Sequence, residues 1–415
     1  MTLTRRHFLK TSLLTAGALA AGPRALRAAS HERVVVCVNL MGGNDALNTV
    51  VPLGQYARYA QMRPRLAIAR ERLLPLPGYE REFAFGPGLT ALRDLFARGR
   101  VAVVNGAGCP PNAGGLFDHE ASQQNFQTGG IAGAGFTEAP SGWLGRYLDT
   151  VSPGALPAGM DFGGGTLLLL GRSSVPLTVS ALNGFRVYPT ADYEARDQAY
   201  QRIMGIPSSL EDAREHNRRM RAEVLELSGT LQGIADGYRP AASARYPNSP
   251  LASALKDCAA LILANQGVRA LAVGEAGFDT HASQNEPVPE TGLTVHDWLL
   301  GRVFDAVAAF HADLAAQGAA DRVLILVFSE FGRRVIENND RGTDHGFGGV
   351  MFALGNPVRG GIYGTHPRLD QLVFDGNLDV TTDFRAVYAT VLRRFLGADD
   401  AAILGGSFTP LGFLA

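Results

Sequence analysis

The chain has 415 residues, of which 46% are hydrophobic and 19% charged, enough to bury a large core as one α/β domain or two ordinary ones. Five of its cations lie in the first thirty residues, and the remainder holds 33 cationic against 39 acidic side chains, a net of −6. With no basic run or arm left, nucleic acid is excluded as a natural partner.

The chain starts with Thr4-Arg5-Arg6-His7-Phe8-Leu9-Lys10, a paired arginine followed by an apolar pair and a lysine. An Ala- and Leu-rich stretch follows from Thr11 to Gly22, and small residues from Ala25 to Ser30 offer a cleavage position. The apolar run is too short for a stable transmembrane anchor, so residues 1–30 are expected to be a removed twin-arginine export signal. That expectation carries two others. The twin-arginine translocase is a partner, and the mature protein works in the periplasm or is secreted.

Arg33 to Leu40 (RVVVCVNL) is a continuous β-branched run, as in a strand buried on both faces. It ends in Met41-Gly42-Gly43-Asn44-Asp45. Val101 to Asn105, Val268 to Val273, Val323 to Phe328 and Val350 to Leu354 repeat the pattern. Helical stretches precede three of them, at Leu89–Ala97, Ser249–Asn265 and Leu299–Gln317. Strands alternating with helices predict an α/β fold with a mostly parallel central sheet and helices on both faces. Residues 31–415 are read as one domain, with 150–248 as an inserted cap. Within that cap, Gly163-Gly164-Gly165 and Leu167 to Leu170 suggest irregular strands, and Glu211 to Gly237 has helical spacing.

Ligands of parallel sheets bind beyond the carboxyl ends of the strands. Polar residues gather at those ends here. Asp45 follows the first strand and is either a cation ligand or a helix cap. Asp279 and His281 follow the third, two apart in Gly-Phe-Asp-Thr-His, a donor pair suited to zinc, iron or copper. Glu330 and Arg333 follow the fourth. Glu330 is a candidate ligand or base, or part of a capping box, and Arg333 a candidate clamp for an anionic substrate. Asp344 and His345 precede the fifth, with Asp344 placed to orient His345 from behind. Phe117-Asp118-His119-Glu120 opens a helix that runs on through Ser122. The predicted metal ligands are therefore Asp45, Asp279, His281, Glu330 and His345, all converging on one crevice. Divalent metal ions are the expected cofactor, zinc among the candidates.

The three cysteines, Cys37, Cys109 and Cys258, form no CxxC pair and predict no disulfide. Cys37 reads as a buried strand residue, and Cys109, in a Gly/Pro loop, as the most exposed.

In order along the chain, NLMGGND, GWLGRYLD (142–149), GFDTHASQ, SEFGRR, RGTDHG and TDFRAVY resemble the uncharacterised twin-arginine-exported family called domain of unknown function 1501. That family in turn is similar to the alkaline phosphatase and sulfatase superfamily. The resemblance implies the superfamily's fold and a two-metal site acting on phosphate or sulfate esters. It would make Asp45 the early aspartate, Asp279 and His281 the middle pair, Glu330 the acidic ligand after the fourth strand, and His345 the final histidine. Asp118, His119 and Ser122 would lie near the reacting group. Two departures stand out. Phe331 occupies the place of an expected histidine, and Cys109-Pro110-Pro111 lacks the arginine of a sulfatase motif. The expected function is a metal-dependent hydrolase of such esters, with an unidentified ester as substrate. The alternative is a non-catalytic binding or assembly protein of the cell envelope.

Overall fold

The structure, a computed structural model, describes residues 32–110, 117–130, 141–152, 154–183, 211–374 and 376–415. The export signal expected at 1–30 lies outside the described residues.

The run Val34–Met41 forms β1. Its side chains alternate between two cores, because successive residues of a strand point to opposite faces. Val34, Val36, Val38 and Leu40 join one core, and Val35 and Cys37 the other. Helices Thr90–Ala97, Pro250–Ala264 and Val295–Ala316 bury their apolar stripes in the first core. Trp143–Leu148, Thr166–Leu169, Phe384–Thr390 and Asp400–Leu404 do so in the second. Each fully buried Val or Leu of the sheet contributes on the order of 1.5–3 kcal/mol from lost water contact.

After β1 come β2 (Val50–Pro52), β3 (Leu74–Pro75) and β4 (Phe83–Phe85), which make a small antiparallel sheet of their own. The main sheet continues with β5 (Val101–Gly108), β6 (Gly159–Phe162), β7 (Leu177–Thr178), β8 (Ala270–Ala276) and β9 (Val323–Phe328). A short ribbon pairs β10 (Gly332–Arg333) with β11 (His345–Gly346). The chain returns to the main sheet as β12 (Gly349–Leu354), β13 (Gly361–Tyr363) and β14 (Thr382–Asp383). The strand order is β13-β5-β12-β9-β1-β8-β6-β7, with β14 also beside β5. Among the described residues this sheet is parallel except at β12, which runs antiparallel to both β5 and β9.

Three details differ from the sequence expectation. The fifth predicted strand, here β12, is antiparallel, because a loop carrying the β10–β11 ribbon joins it to β9 without a helical crossover. Leu167–Leu169 is helical instead of extended. Asp161 Oδ1 accepts from the Gly164 and Gly165 amides at 2.8 and 3.1 Å, and its Oδ2 from the Thr166 hydroxyl at 2.7 Å. Those bonds fold the chain into a helical turn directly after β6. Within the segment expected as a cap, β6 and β7 join the main sheet, and helix Glu211–Gly237 lies beside helix Pro250–Ala264 with Leu231 in the first core. Residues 184–210 of that segment lie outside the described residues. No described helix is long and apolar enough to cross a membrane.

Candidate metal centre

Four segments meet at the carboxyl edge of the sheet: 42–45 after β1, 117–119 after β5, 277–281 after β8 and 329–331 after β9. A fifth, 341–346, reaches the same edge because β12 starts there.

Asp279, His119, His281 and His345 come together. His281 Nε2 lies 2.8 Å from His345 Nε2, and each lies 3.2 Å from Asp279 Oδ1. His119 Nε2 lies 3.4 Å from Asp279 Oδ2. The other ring nitrogen of each histidine faces an acceptor. His119 Nδ1 is 3.0 Å from Glu330 Oε1, His281 Nδ1 is 3.2 Å from Asp344 Oδ1, and His345 Nδ1 is 2.7 Å from the Phe117 carbonyl. The Phe117 carbonyl only accepts, so His345 Nδ1 carries a hydrogen. With a metal ion at Nε2, His119 and His281 would likewise turn Nδ1–H toward Glu330 and Asp344.

Lone pairs and a carboxylate facing one another repel unless a cation or a proton lies between them. The ligand atoms of His119, Asp279 and His345 all lie within 4.8 Å of one another, and His281 adjoins them through Asp279 and His345, a donor chemistry that suits zinc. Tetrahedral ligands on bonds of 2.0–2.1 Å stand about 3.3 Å apart, close to the spacings here. The residues present therefore fit a divalent metal ion.

Partial burial works to raise the Asp279 carboxyl, but Arg333, His345 and His281 outweigh it and hold it at about 2. Burial, with Arg333, pushes the His345 imidazole below its usual range, against the pull of the Phe117 carbonyl and Asp279. Asp279 and His281 are about half exposed, so the centre is open to solvent on one side.

Glu330 is buried behind the donors. Its Oε1 accepts from the Gly42 amide at 2.8 Å and from Gln123 Nε2 at 3.3 Å, and its Oε2 accepts from the Gly43 amide at 3.2 Å. Expected as a ligand, it is committed to the turn after β1 and to His119. The turn itself needs glycine. Gly43 has φ +87°, and a Cβ there would lie 2.2 Å from Cε2 of Phe331.

Asp45 is a correction. It is buried 2.6 Å from Arg63, caps the helix Ala46–Thr49 through the Leu47 amide, and accepts from Gln284 Nε2 at 2.5 Å. Burial would raise its carboxyl, but Arg63, His296 and Gln284 hold it low. The cap interpretation prevails because the Arg63 guanidinium already neutralises the charge. Arg333 is also a correction as a substrate clamp. It is 1% exposed, and donates to the carbonyls of Gly42, Gly43, Thr343 and Phe278 and to Asp279 Oδ1 at 2.7 Å. Buried and turned onto these backbone carbonyls, it holds Asp279 in place. Asp344 backs His281 and not His345. Asp118 caps the helix His119–Thr128 through the Ala121 amide at 2.8 Å, Ser122 is buried, and only His119 of that trio reaches the centre.

Sequence reasoning missed two supports. Phe331 packs its ring 4.9 Å from His119 and 4.5 Å from His345, as a wall that orients both. Gln284 ties the two histidine loops together, its Oε1 accepting from the Thr280 hydroxyl at 3.1 Å and from Thr343 at 2.7 Å. The motif GFDTHASQ contained Gln284, but nothing local distinguishes it from a surface glutamine.

Among solved structures, the chain is similar to the PsFucS1 sulfatase from Pseudoalteromonas sp., at 13% identity and a TM-score of 0.40, covering 100% of this chain and 76% of that one. It is similar to the lipoteichoic acid synthase LtaP from Listeria monocytogenes, at 9% identity and 0.36, covering 96% and 80%. It is also similar to the phosphonate monoester hydrolase SpPMH from Silicibacter pomeroyi, at 10% identity and 0.31, covering 91% and 78%. Likeness at this level says nothing about activity. No curated protein matches the chain. A family model described as "Protein of unknown function (DUF1501)" matches residues 121–404, well over half of the chain, and the chain belongs to that family.

Proposed function

We propose that the chain is an exported, metal-dependent hydrolase of phosphate or sulfate esters, with its metal held by His119, Asp279, His281 and His345. The observation that carries this reading is the meeting of His119, Asp279 and His345, with ligand atoms within 4.8 Å of one another, and of His281 Nε2 3.2 Å from Asp279. A divalent ion held there supplies Lewis acidity toward an ester oxygen and makes water nucleophilic near neutral pH. The protein's own groups do the rest. Arg333 fixes Asp279, Glu330 and Asp344 fix the rings of His119 and His281, and the open side admits a substrate. The Asp118 carboxylate caps the helix His119–Thr128 through the Ala121 amide.

The test is metal analysis of the purified mature protein, together with assays of aryl phosphate and aryl sulfate hydrolysis. Wild type is expected to hold metal and turn over at least one ester class, and His281→Ala to lose both. Metal-free wild type that cannot be reconstituted would end the proposal. Bound metal with no turnover would favour the second reading, an envelope binding protein. The commitment of Asp118 to capping the helix His119–Thr128 supports that alternative. Export is tested separately. Changing Arg5 and Arg6 together to Lys is expected to hold the precursor in the cytoplasm.

A further inference from the structure

Large apolar side chains in the open are few among the described residues: Phe117, Val175, Leu225, Ile336 and Phe374. Three of these five gather beside the metal centre. Phe117, 43% exposed, stacks on Phe347 at 4.8 Å and 23° between planes. Phe347 meets Phe374, 60% exposed, edge to face at 5.3 Å. Ile336, 53% exposed, is near the same turn: a Cβ placed on Gly376, two residues beyond Phe374, would lie 3.7 Å from its Cδ1. A grouped, exposed apolar surface of this kind marks a contact site, whereas scattered single residues do not.

The surface is continuous with the donors. The Phe117 carbonyl holds His345 Nδ1, and Phe347 follows His345 by two residues. Phe374 is presented on a tight turn closed by paired Val373 and Asn377 backbone bonds at 3.0 and 2.9 Å. Its φ is +39°, a conformation unfavourable for a bulky side chain. Core packing does not explain this cost, since the ring points mostly into solvent.

We propose that Phe117, Phe374 and Ile336, the first two packed on the buried ring of Phe347, form the subsite for the apolar part of an amphiphilic ester whose anionic head sits at the metal centre. The proposal rests on the metal reading above. It narrows the substrate class to phosphate or sulfate esters carrying a long alkyl or aryl group. The aromatic faces and the Ile336 side chain remove that group from water, while the charged end stays with the cation.

The test compares methylphosphonate with octylphosphonate below its micelle concentration. Both are non-hydrolysable and share the anionic head. They are titrated calorimetrically into metal-loaded wild type, Phe374→Ser and Ile336→Ser, with metal content measured on each sample. Wild type is expected to bind the octyl compound more tightly by about tenfold or more, from the extra apolar surface buried. Each variant is expected to lose most of that preference while keeping its metal and its methylphosphonate affinity. Equal affinities in metal-loaded wild type would overturn the subsite and leave the metal centre standing. Binding to phosphatidylcholine vesicles that the variants lose, without an octyl preference in wild type, would also overturn it, assigning the surface to a membrane. Wild type without metal would bring down the metal reading and the subsite together, and the metal analysis identifies that case.

Discussion

His281 Nε2 and His345 Nε2 face each other at 2.8 Å while Nδ1 of each ring faces an acceptor, Asp344 Oδ1 and the Phe117 carbonyl. Two ring nitrogens this close need a hydrogen or a cation between them. Metal binding is therefore expected to release protons and to weaken as pH falls, by about tenfold per pH unit for each imidazole that must be deprotonated. The His345 imidazole is held below its usual range, so its own competition with metal begins only at a pH below that of a free imidazole. Chelator competition between pH 5 and 8 measures this. Affinity that stays flat across the range would rule out imidazole ligation.

Gln284 joins the loops that carry His281 and His345 through the hydroxyls of Thr280 and Thr343. Gln284→Ala is expected to weaken metal binding by about 10–100-fold, the usual cost of losing a supporting hydrogen bond behind ligands. Gln284→Glu sets a second carboxylate against Asp45, where Nε2 now lies 2.5 Å from Oδ2, and is expected to lower the melting temperature further. Calorimetry and metal titration of the two variants separate the effects.

Asp45 and Arg63 are both buried, at 1% and 0% side-chain exposure. Asp45→Ala leaves the guanidinium unpaired and is expected to cost about 3–5 kcal/mol of stability. Metal bound per folded molecule should not change, because Asp45 is not among the donors. The folded pKa of Asp45 is lowered, so its contribution is complete above the unfolded carboxyl value, about 3.9, and is lost as pH falls through the folded one. Denaturant melts of wild type and Asp45→Ala from pH 7 down to 3 should thus converge at the acid end. A constant gap between them would refute the linkage.

All three cysteines are free and buried. Cys109, expected from its loop to be exposed, is 7% exposed, since β5 runs on to Gly108 and carries it into the second core. Burial, then Asp383, pushes its thiol up to about 12. A thiol reagent is expected to label none of the three in the folded protein and all three after denaturation. Rapid labelling of the native state would contradict the packing of that segment.

Much of the fold was legible in the sequence for a physical reason. The runs in β1 and β9 are apolar at every position but Asn39, which only a strand covered on both faces can use, and the helices between them carry the matching apolar stripes. The strand ends followed, and with them the segments bearing Asp279, His281, Glu330 and His345. The sequence by itself could not say which charge each side chain meets. Asp45, Glu330 and Arg333 have the chemistry of a site, yet their partners lie 18 to 290 positions away, in Arg63, the Gly42–Gly43 amides and the Gly43 carbonyl. His345 reaches the metal edge only because β12 turned back antiparallel. A parallel strand at that place would have carried it to the opposite edge. Local pattern determines which residues are buried and where strands stop. The pairing of buried charge is a property of the whole packed chain, and the tertiary structure alone decided it.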